Sequence, residues 1–333
     1  MSARPRILAL SFACVTAAAP LAAQDAKAPF LERSYFAPGT PSGKKLAFEG
    51  TAVGHYFFYN TLDDLVWQKQ GGTKLVWPVT MMFVVRMSTD FSSPVRTPSY
   101  QIRPLYAQVL HLWRPSGDKH RYHILEGAVG LTHYSNGQSG CTYLGEGVNT
   151  AGDGCEVKDA TLYAKRFTNV ENGNFSTDFI PIVLHYRRGH LLKPLAMMDH
   201  QQTVGVELQL HPIGHWMPGA LDLQQANQYG MHQYSVTAEL ERRRARIPPI
   251  RFEGVFRVAA KYTERFGGGA PAHLRNGFGE VSYVFDRVEH WGVFARYHAG
   301  FDYYNIQWQD THSFLSLGFV WDRGRMDTLE TDP

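Results

Sequence analysis

Apolar and polar residues alternate in segment after segment of this chain, and this pattern limits the folds open to it. Residues 203–210, 234–241 and 251–261 each place apolar side chains on one face of an extended strand and polar or charged ones on the other. Beyond residue 23, no run approaches the roughly 18 consecutive apolar residues of a membrane-spanning helix. The repeated period of two therefore predicts an all-β chain.

Charged rows that oppose apolar rows, strand after strand, indicate a barrel with a polar interior and a lipid-facing exterior. In a soluble sandwich the apolar rows would instead pack against each other. We predict a single transmembrane antiparallel β-barrel of about twelve strands, a multi-pass protein of the bacterial outer membrane. The predicted strands lie near residues 50–60, 73–87, 100–115, 120–135, 157–168, 176–188, 202–211, 228–243, 250–263, 277–287, 291–304 and 312–322.

The beginning of the chain reads as an export signal. Arg4 and Arg6 precede an apolar run over residues 7–19 and a small-residue cleavage zone, so we expect residues 1–23 to be a signal peptide. The remaining divisions follow from composition and pattern. We expect a periplasmic N-terminal tail over 24–45, the barrel over 46–322 and a C-terminal tail over 323–333, with a short periplasmic turn at 172–174.

Two cysteines, Cys141 and Cys155, remain once the signal peptide is removed. An even pair in an exported protein favours a disulfide, which would close the loop between two strands. The formal net charge of +3 is too small to indicate a nucleic-acid partner, and we expect none.

One predicted strand carries a pair of chemically competent side chains. In the run 124–135, His133 and Ser135 end the more apolar row, so they lie side by side on one face. A serine needs a nearby base to become a nucleophile, and imidazole is the usual one. If that row faces lipid, two polar side chains there carry a free-energy cost unless they serve a purpose. The pattern predicts a hydrolase whose substrate arrives from the membrane.

The stretch 131–139, Leu-Thr-His-Tyr-Ser-Asn-Gly-Gln-Ser, resembles the His-x-Ser-Asn-Gly-x-Ser motif of the outer-membrane phospholipase A family. Ser-Ser-Pro-Val-Arg at 92–96 is similar to that family's Ser-Ser-Pro-Phe-Arg loop. The Leu-Tyr pair at 162–163 and Glu-Asn-Gly-Asn at 171–174 follow in the same order. The likeness extends over roughly residues 50–322 and is strongest over 92–174.

This resemblance implies calcium-dependent hydrolysis of glycerophospholipid acyl esters, with Ser135 as nucleophile, His133 as general base and homodimerisation when active. It also implies calcium ligands: the Ser92 hydroxyl from one subunit, the Gln138 carbonyl and a nearby hydroxyl from the other. Ser139 is the residue we name for that last position, with Thr142 and Asp153 left open.

The chain departs from the family at the third member of the catalytic triad. The family has an asparagine two residues before Leu-Tyr, where this chain has Ala160. Glu156 has the right strand parity to orient His133, and we name it as the candidate third member. Two alternatives stay open. The first is a catalytically degenerate structural or transport barrel of the same fold. The second is a lipid A deacylase, because that family has a similar His-x-Ser-Asn motif, although its barrel is smaller.

The histidines outside this motif lack a recognisable metal pattern. We interpret His185 and His190 as polar groups of the rim or lumen. His211 and His215 lack the helix that a zinc-binding i, i+4 pair requires.

Overall fold

The structure is a computed structural model of the whole chain. It describes residues 32–38, 46–62, 71–88, 95–118, 120–145, 166–169, 173–191, 198–213, 219–221, 225–226, 229–243, 254–267, 274–285, 291–301 and 311–322. Among these residues, none forms a helix long and apolar enough to cross a membrane.

Fourteen strands make up the described structure, and twelve of them close into one antiparallel barrel. In chain order the strands are β1 (Ser34–Pro38), β2 (Leu46–Asn60), β3 (Gly72–Ser88), β4 (Val95–Trp113), β5 (Arg121–Ser135), β6 (Tyr143–Gly145), β7 (Arg166–Thr168), β8 (Ser176–Leu191), β9 (Met198–Leu210), β10 (His232–Arg242), β11 (Gly254–Phe266), β12 (Leu274–Phe285), β13 (Trp291–Phe301) and β14 (Thr311–Trp321). β5 pairs directly with β8, while β6 and β7 form a separate two-stranded hairpin. The predicted fold class is confirmed.

Burial follows the predicted alternation and assigns each row to a side of the barrel wall. The apolar row faces outward on successive strands and stays exposed in the isolated chain, as at Val129, Ile182, Val206, Val236 and Leu317. The opposite row, which lines the interior, is rich in charged and amide side chains. An exposed apolar belt around a polar lumen is the surface of a β-barrel embedded in lipid, so the chain is a multi-pass outer-membrane barrel.

The predicted count of twelve is correct, although one predicted strand is not in the wall and one strand of the wall was not predicted. The segment 157–168 is not a barrel strand. Its described part, Arg166–Thr168, pairs with β6, and it has no place in the wall because β5 and β8 pair with each other from Arg121↔His190 to Ser135↔Ser176. The twelfth strand is β1, inside the predicted tail 24–45, and it pairs with β14 on one side and β2 on the other.

The two ends of the barrel differ in the lengths of their connections. The two longest, residues 136–175 and 211–231, both leave the end where β5 finishes and β8 begins. Long loops of such barrels are extracellular and short turns periplasmic, so this end is the extracellular one. The predicted periplasmic turn at 172–174 is misplaced, because Gly173 bridges Gly140 and the Asn174 amide donates to the Gly140 carbonyl at this same end.

A fully buried carboxylate, Glu126, organises the lumen side of β5. Its Oε1 accepts a hydrogen bond from Gln108 Nε2 at 2.8 Å, and its Oε2 lies 2.7 Å from His185 Nδ1. Glu126 thus joins β4, β5 and β8, and His185 is a lumen group as predicted.

We predict that Glu126→Ala lowers the temperature at which the barrel loses its folded electrophoretic mobility in detergent. The variant removes the acceptor shared by Gln108 and His185, and buried groups that lose a partner cost about 1–3 kcal/mol each. Glu126→Gln keeps an acceptor oxygen at the same place and serves as the matched control. Equal unfolding temperatures for the Ala variant and the parent would refute the assigned role.

Candidate functional site

The register between β5 and β8 places a carboxylate opposite the predicted base. His133 pairs with Asp178 and Ser135 with Ser176, so all four side chains share the outward face at the extracellular end. Directly opposed residues of an antiparallel pair have Cβ atoms roughly 4.5–5.5 Å apart, within reach of a side-chain hydrogen bond.

His133 and Asp178 make that contact. His133 Nδ1 lies 2.6 Å from Asp178 Oδ1, with 44% of the His133 side chain and 13% of the Asp178 side chain exposed. An ionised carboxylate can only accept, so Nδ1 is the protonated nitrogen and Nε2 keeps its lone pair. The pairing therefore fixes the tautomer in which the free nitrogen of the ring acts as a base.

Ser135 ends β5 at a tight turn. The Gly137 amide donates to Ser135 Oγ over 3.2 Å, and Gly137 has a φ of 62°. Among the described residues, no hydrogen bond joins Ser135 to His133, whose ring nitrogens contact Asp178 alone. Two residues along a strand are about 6.6 Å apart, so side-chain rotation has to bring Oγ to Nε2; such catalytic contacts often tighten only with substrate.

Asn136 is buried and holds this turn through three side-chain hydrogen bonds. Its Nδ2 donates to the Gly173 carbonyl at 2.7 Å, while its Oδ1 accepts from the amides of Phe175 at 3.0 Å and Gln138 at 3.2 Å. These bonds tie the end of β5 to the start of β8. Asn136 therefore has a structural reason to follow Ser135 directly in the sequence.

A loop residue covers Asp178. The Asp178 amide donates to the Gly219 carbonyl at 2.7 Å, and Gly219 has a φ of 75°. A Cβ on Gly219 would lie 2.5 Å from Asp178 Oδ2, a separation that would force one of them to move. The absence of a side chain at 219 lets the backbone close over the carboxylate.

Beneath the site, an apolar cluster of Phe175, Leu221, Ala226 and Tyr229 fills the lumen at this end. His211 lies beside it, with Nδ1 3.1 Å from Thr177 Oγ1. Burial, together with the Arg265 guanidinium, lowers the pKa of His211 to about 3, so this imidazole is neutral. His211 is a polar group of the floor and brings no charge to Asp178.

On the lipid side, apolar groups surround the site because of a bulge in β4. Ile102 pairs with His133 but Leu105 pairs with Leu131, so β4 carries one extra residue here, next to Pro104. The bulge turns Tyr100 and Ile102 to the same face as Ser135 and His133. The Tyr100 ring contacts exposed Phe83 with centroids 5.5 Å apart. Lipid chains would therefore contact His133 and Ser135 directly.

The other predicted site residues fall into two groups. Glu156, Ala160 and Ser92 lie outside the described residues, and Asp178 occupies the place beside His133 that we gave to Glu156. Gln138 is half-buried and Ser139 exposed, both in the turn after Ser135. Cys141 is buried and disulfide-bonded, but Cys155 lies outside the described residues, so their pairing stays a prediction.

Calcium binds about six to eight oxygens, preferably including carboxylates. Gln138 and Ser139 offer neutral oxygens, and the neighbouring carboxylate, Asp178, is engaged by His133. The described residues of one chain therefore do not complete a calcium site, and the missing oxygens would have to come from elsewhere.

Sequence reasoning missed Asp178, although a signal was present. In the predicted strand 176–188, Asp178 opens the row that continues with Ile180, Ile182 and Leu184. It has the same anomaly as His133 and Ser135, a polar group at the end of a lipid-facing row. The predicted strand 157–168 separates β5 from β8, so the pairing that brings Asp178 beside His133 could not be predicted.

Comparisons with known proteins bear on the fold. The chain is similar to outer membrane phospholipase A from Escherichia coli. The identity is 11% and the TM-score 0.48, and the match covers 90% of this chain and 95% of that one. The calcium-bound Salmonella typhi outer membrane phospholipase dimer matches with 12% identity, a TM-score of 0.48 and the same coverage.

The beta domain of the Bordetella autotransporter Brka also matches, with 10% identity, a TM-score of 0.34 and coverage of 87% and 96%. No protein-family model and no curated protein matches the chain. Similarity at this level carries no activity from those proteins to this one, so function has to be argued from the site.

We predict that Gly219→Ala slows lipid ester hydrolysis at least tenfold, because its Cβ displaces the Asp178 carboxylate from His133. Gly117→Ala is the matched control: Gly117 also has a positive φ, 87°, but a Cβ there meets nothing within 4 Å. Both variants carry the left-handed backbone cost of about 1–2 kcal/mol, and only one touches the site. Equal rates for the two variants in a detergent-micelle assay would contradict the capping role.

Proposed function

We propose that this chain hydrolyses acyl ester bonds of glycerophospholipids in the outer membrane, using a Ser135–His133–Asp178 triad. One observation carries the proposal: a histidine bonded to a carboxylate at 2.6 Å shares the lipid-facing row with a serine. Side chains of this kind rarely face lipid without a functional role.

The first half of the reaction uses the tautomer that Asp178 sets. Ser135 Oγ attacks the ester carbonyl carbon while His133 Nε2 takes the hydroxyl proton. Asp178 then stabilises the imidazolium through its bond to Nδ1. The Gly137 amide, which donates to Ser135 Oγ in the free chain, is placed to stabilise negative charge that develops beside the nucleophile.

Collapse of the tetrahedral intermediate breaks the ester C–O bond, and His133 gives its proton to the departing lysophospholipid oxygen. Water then attacks the acyl-serine, with His133 again accepting a proton, and the fatty acid leaves as Ser135 recovers its hydrogen. The position of the site supports a lipid substrate: Phe83, Tyr100 and Ile102 lie beside it on the membrane-facing surface, so an acyl chain would stay in an apolar environment while its ester reaches Ser135.

The geometry at His133 weighs against a degenerate barrel. That alternative depended on Ala160, where the resembling family has its orienting asparagine. Asp178 supplies an orienting carboxylate from another strand, so the alanine does not remove the third member of the triad. The closed twelve-stranded barrel likewise favours a phospholipase over a lipid A deacylase with a smaller barrel.

We also propose that calcium and a second copy of the chain take part. Gln138 and Ser139 present neutral oxygens in the turn after the nucleophile, too few for one calcium ion. Ser92 of a partner copy, together with water, would supply further oxygens. The ion would then link activity to the homodimer.

The triad is tested by four variants. Ser135→Ala and His133→Ala should abolish hydrolysis, because each removes a group that changes bonding in the reaction. Asp178→Ala should lower kcat by roughly two to four orders of magnitude, since nothing would then accept the Nδ1 hydrogen of His133 or stabilise its imidazolium. Ser176→Ala, directly opposite Ser135, should retain most activity and is the matched control.

A fluorophosphonate probe followed by peptide mass spectrometry should label Ser135 and leave Ser176 unlabelled. For each variant, electrophoretic migration at the folded position in detergent establishes that the barrel has formed. Full activity in the Ser135 variant, or labelling at Ser176, would refute the proposed nucleophile.

The calcium proposal predicts that chelation lowers hydrolysis at least tenfold and shifts the dimer towards monomer in analytical ultracentrifugation. Ser139→Ala should raise the calcium concentration needed for both effects, while Ser116→Ala, in an exposed turn at the other end of the barrel, should change neither. Unchanged hydrolysis after chelation would overturn the calcium assignment and leave the triad intact.

A further inference from the structure

Three metal-ligating side chains converge at the periplasmic end of the barrel, far from the triad. His190 near the end of β8 pairs with His200 of β9, and their rings stack with centroids 5.5 Å apart and planes 5° apart. Asp199 joins them: the ligand atoms of all three residues lie within 4.8 Å of one another.

A β-bulge explains how two consecutive residues reach the same point. His190 pairs with His200 and Leu191 with Met198, so Asp199 is the extra residue of β9. Bulges re-aim a side chain that would otherwise face the opposite side of the sheet. The Arg243 amide donates to the Asp199 carbonyl at 2.7 Å and holds the bulge against the end of β10.

The cluster contains a buried polar atom that lacks a partner. Among the described residues, nothing hydrogen-bonds to His190 Nδ1, although no solvent reaches it. An unmade hydrogen bond of a buried group is costly, and buried polar groups in this state often indicate a ligand or ion. Asp199 Oδ2 lies 3.2 Å from His200 Nδ1, close to the separation of about 3.4 Å between two ligand atoms of a tetrahedral zinc site.

We propose that His190, Asp199 and His200 bind one Zn²⁺ ion, with water completing a tetrahedron. Two imidazoles and a carboxylate are a donor set that zinc accepts, with bonds of about 2.0–2.2 Å. Ligand atoms of such a site are about 3.4 Å apart, so small side-chain rotations suffice. This proposal gives a ligand role to His190, for which the sequence predicts only a polar group of the rim or lumen.

The surroundings permit a cation there. Two arginines lie opposite the histidines on the neighbouring strands. Arg121, opposite His190 on β5, is bound by Asp118 at 3.1 Å, so its charge is partly neutralised. Arg242, opposite His200 on β10, is exposed to solvent, which screens its charge.

Trp113, His123 and Tyr186 stack on one another as an aromatic girdle at this end of the barrel. The site lies beyond them, on the side that faces periplasmic water. A bound ion would clamp β8 to β9 beside the turn that joins them.

The experiment titrates Zn²⁺ into untagged, chelator-treated barrel in detergent, by isothermal calorimetry. We expect one ion per chain, and at least tenfold weaker binding in His190→Ala and His200→Ala. His111→Ala, an exposed histidine at the same end outside the cluster, should bind like the parent. Zinc should also raise the unfolding temperature of the parent and the His111 variant only.

Two results would overturn the proposal: no stoichiometric zinc uptake by the parent, or parental affinity in both cluster variants. Phospholipid hydrolysis should be unaffected by His200→Ala, so this site and the triad are tested independently.

Discussion

Backbone groups that reach the hydrocarbon layer must be hydrogen-bonded within the protein, since lipid offers them nothing. In this chain the seam between β14 and β2 is bridged by β1, a strand of five residues. Residues 34–36 pair with residues 319–321 of β14, and residues 35–38 pair with residues 48–51 of β2. This pairing closes the wall and supplies backbone partners along part of both strands. The closed wall contains the pairing of β5 with β8, the two strands that carry the candidate site.

The proposed triad depends on the register of that pairing. β5 and β8 lie side by side because the connection between them, residues 136–175, leaves the wall completely. Strand parity directs His133, Ser135 and Asp178 outward, while Glu126 and His185 point into the lumen from the same two strands. One pair of strands thus presents a hydrogen-bonded network to the lumen and the candidate site to the lipid.

The two ends of the barrel carry different proposed sites. At the extracellular end, Asn136 and Gly219 shape the backbone so that the turn and loop close around the triad. At the periplasmic end, a bulge at Asp199 gathers side chains that regular pairing would separate. Among the described residues of the two sites, only at the periplasmic end does an irregularity in the sheet put a polar group where alternation alone would not.

The sequence by itself determined the fold class, because a period of two is a local property that each segment displays independently. It also determined that His133 and Ser135 share a face, since two residues on one strand need no tertiary information. It did not determine that β1 closes the wall, because a five-residue strand between glycine- and proline-containing segments has too little pattern to detect. Nor did it determine that Asp178 orients His133. That contact depends on which strands are neighbours, and neighbours are selected by closure of the whole sheet, a constraint that no single segment carries.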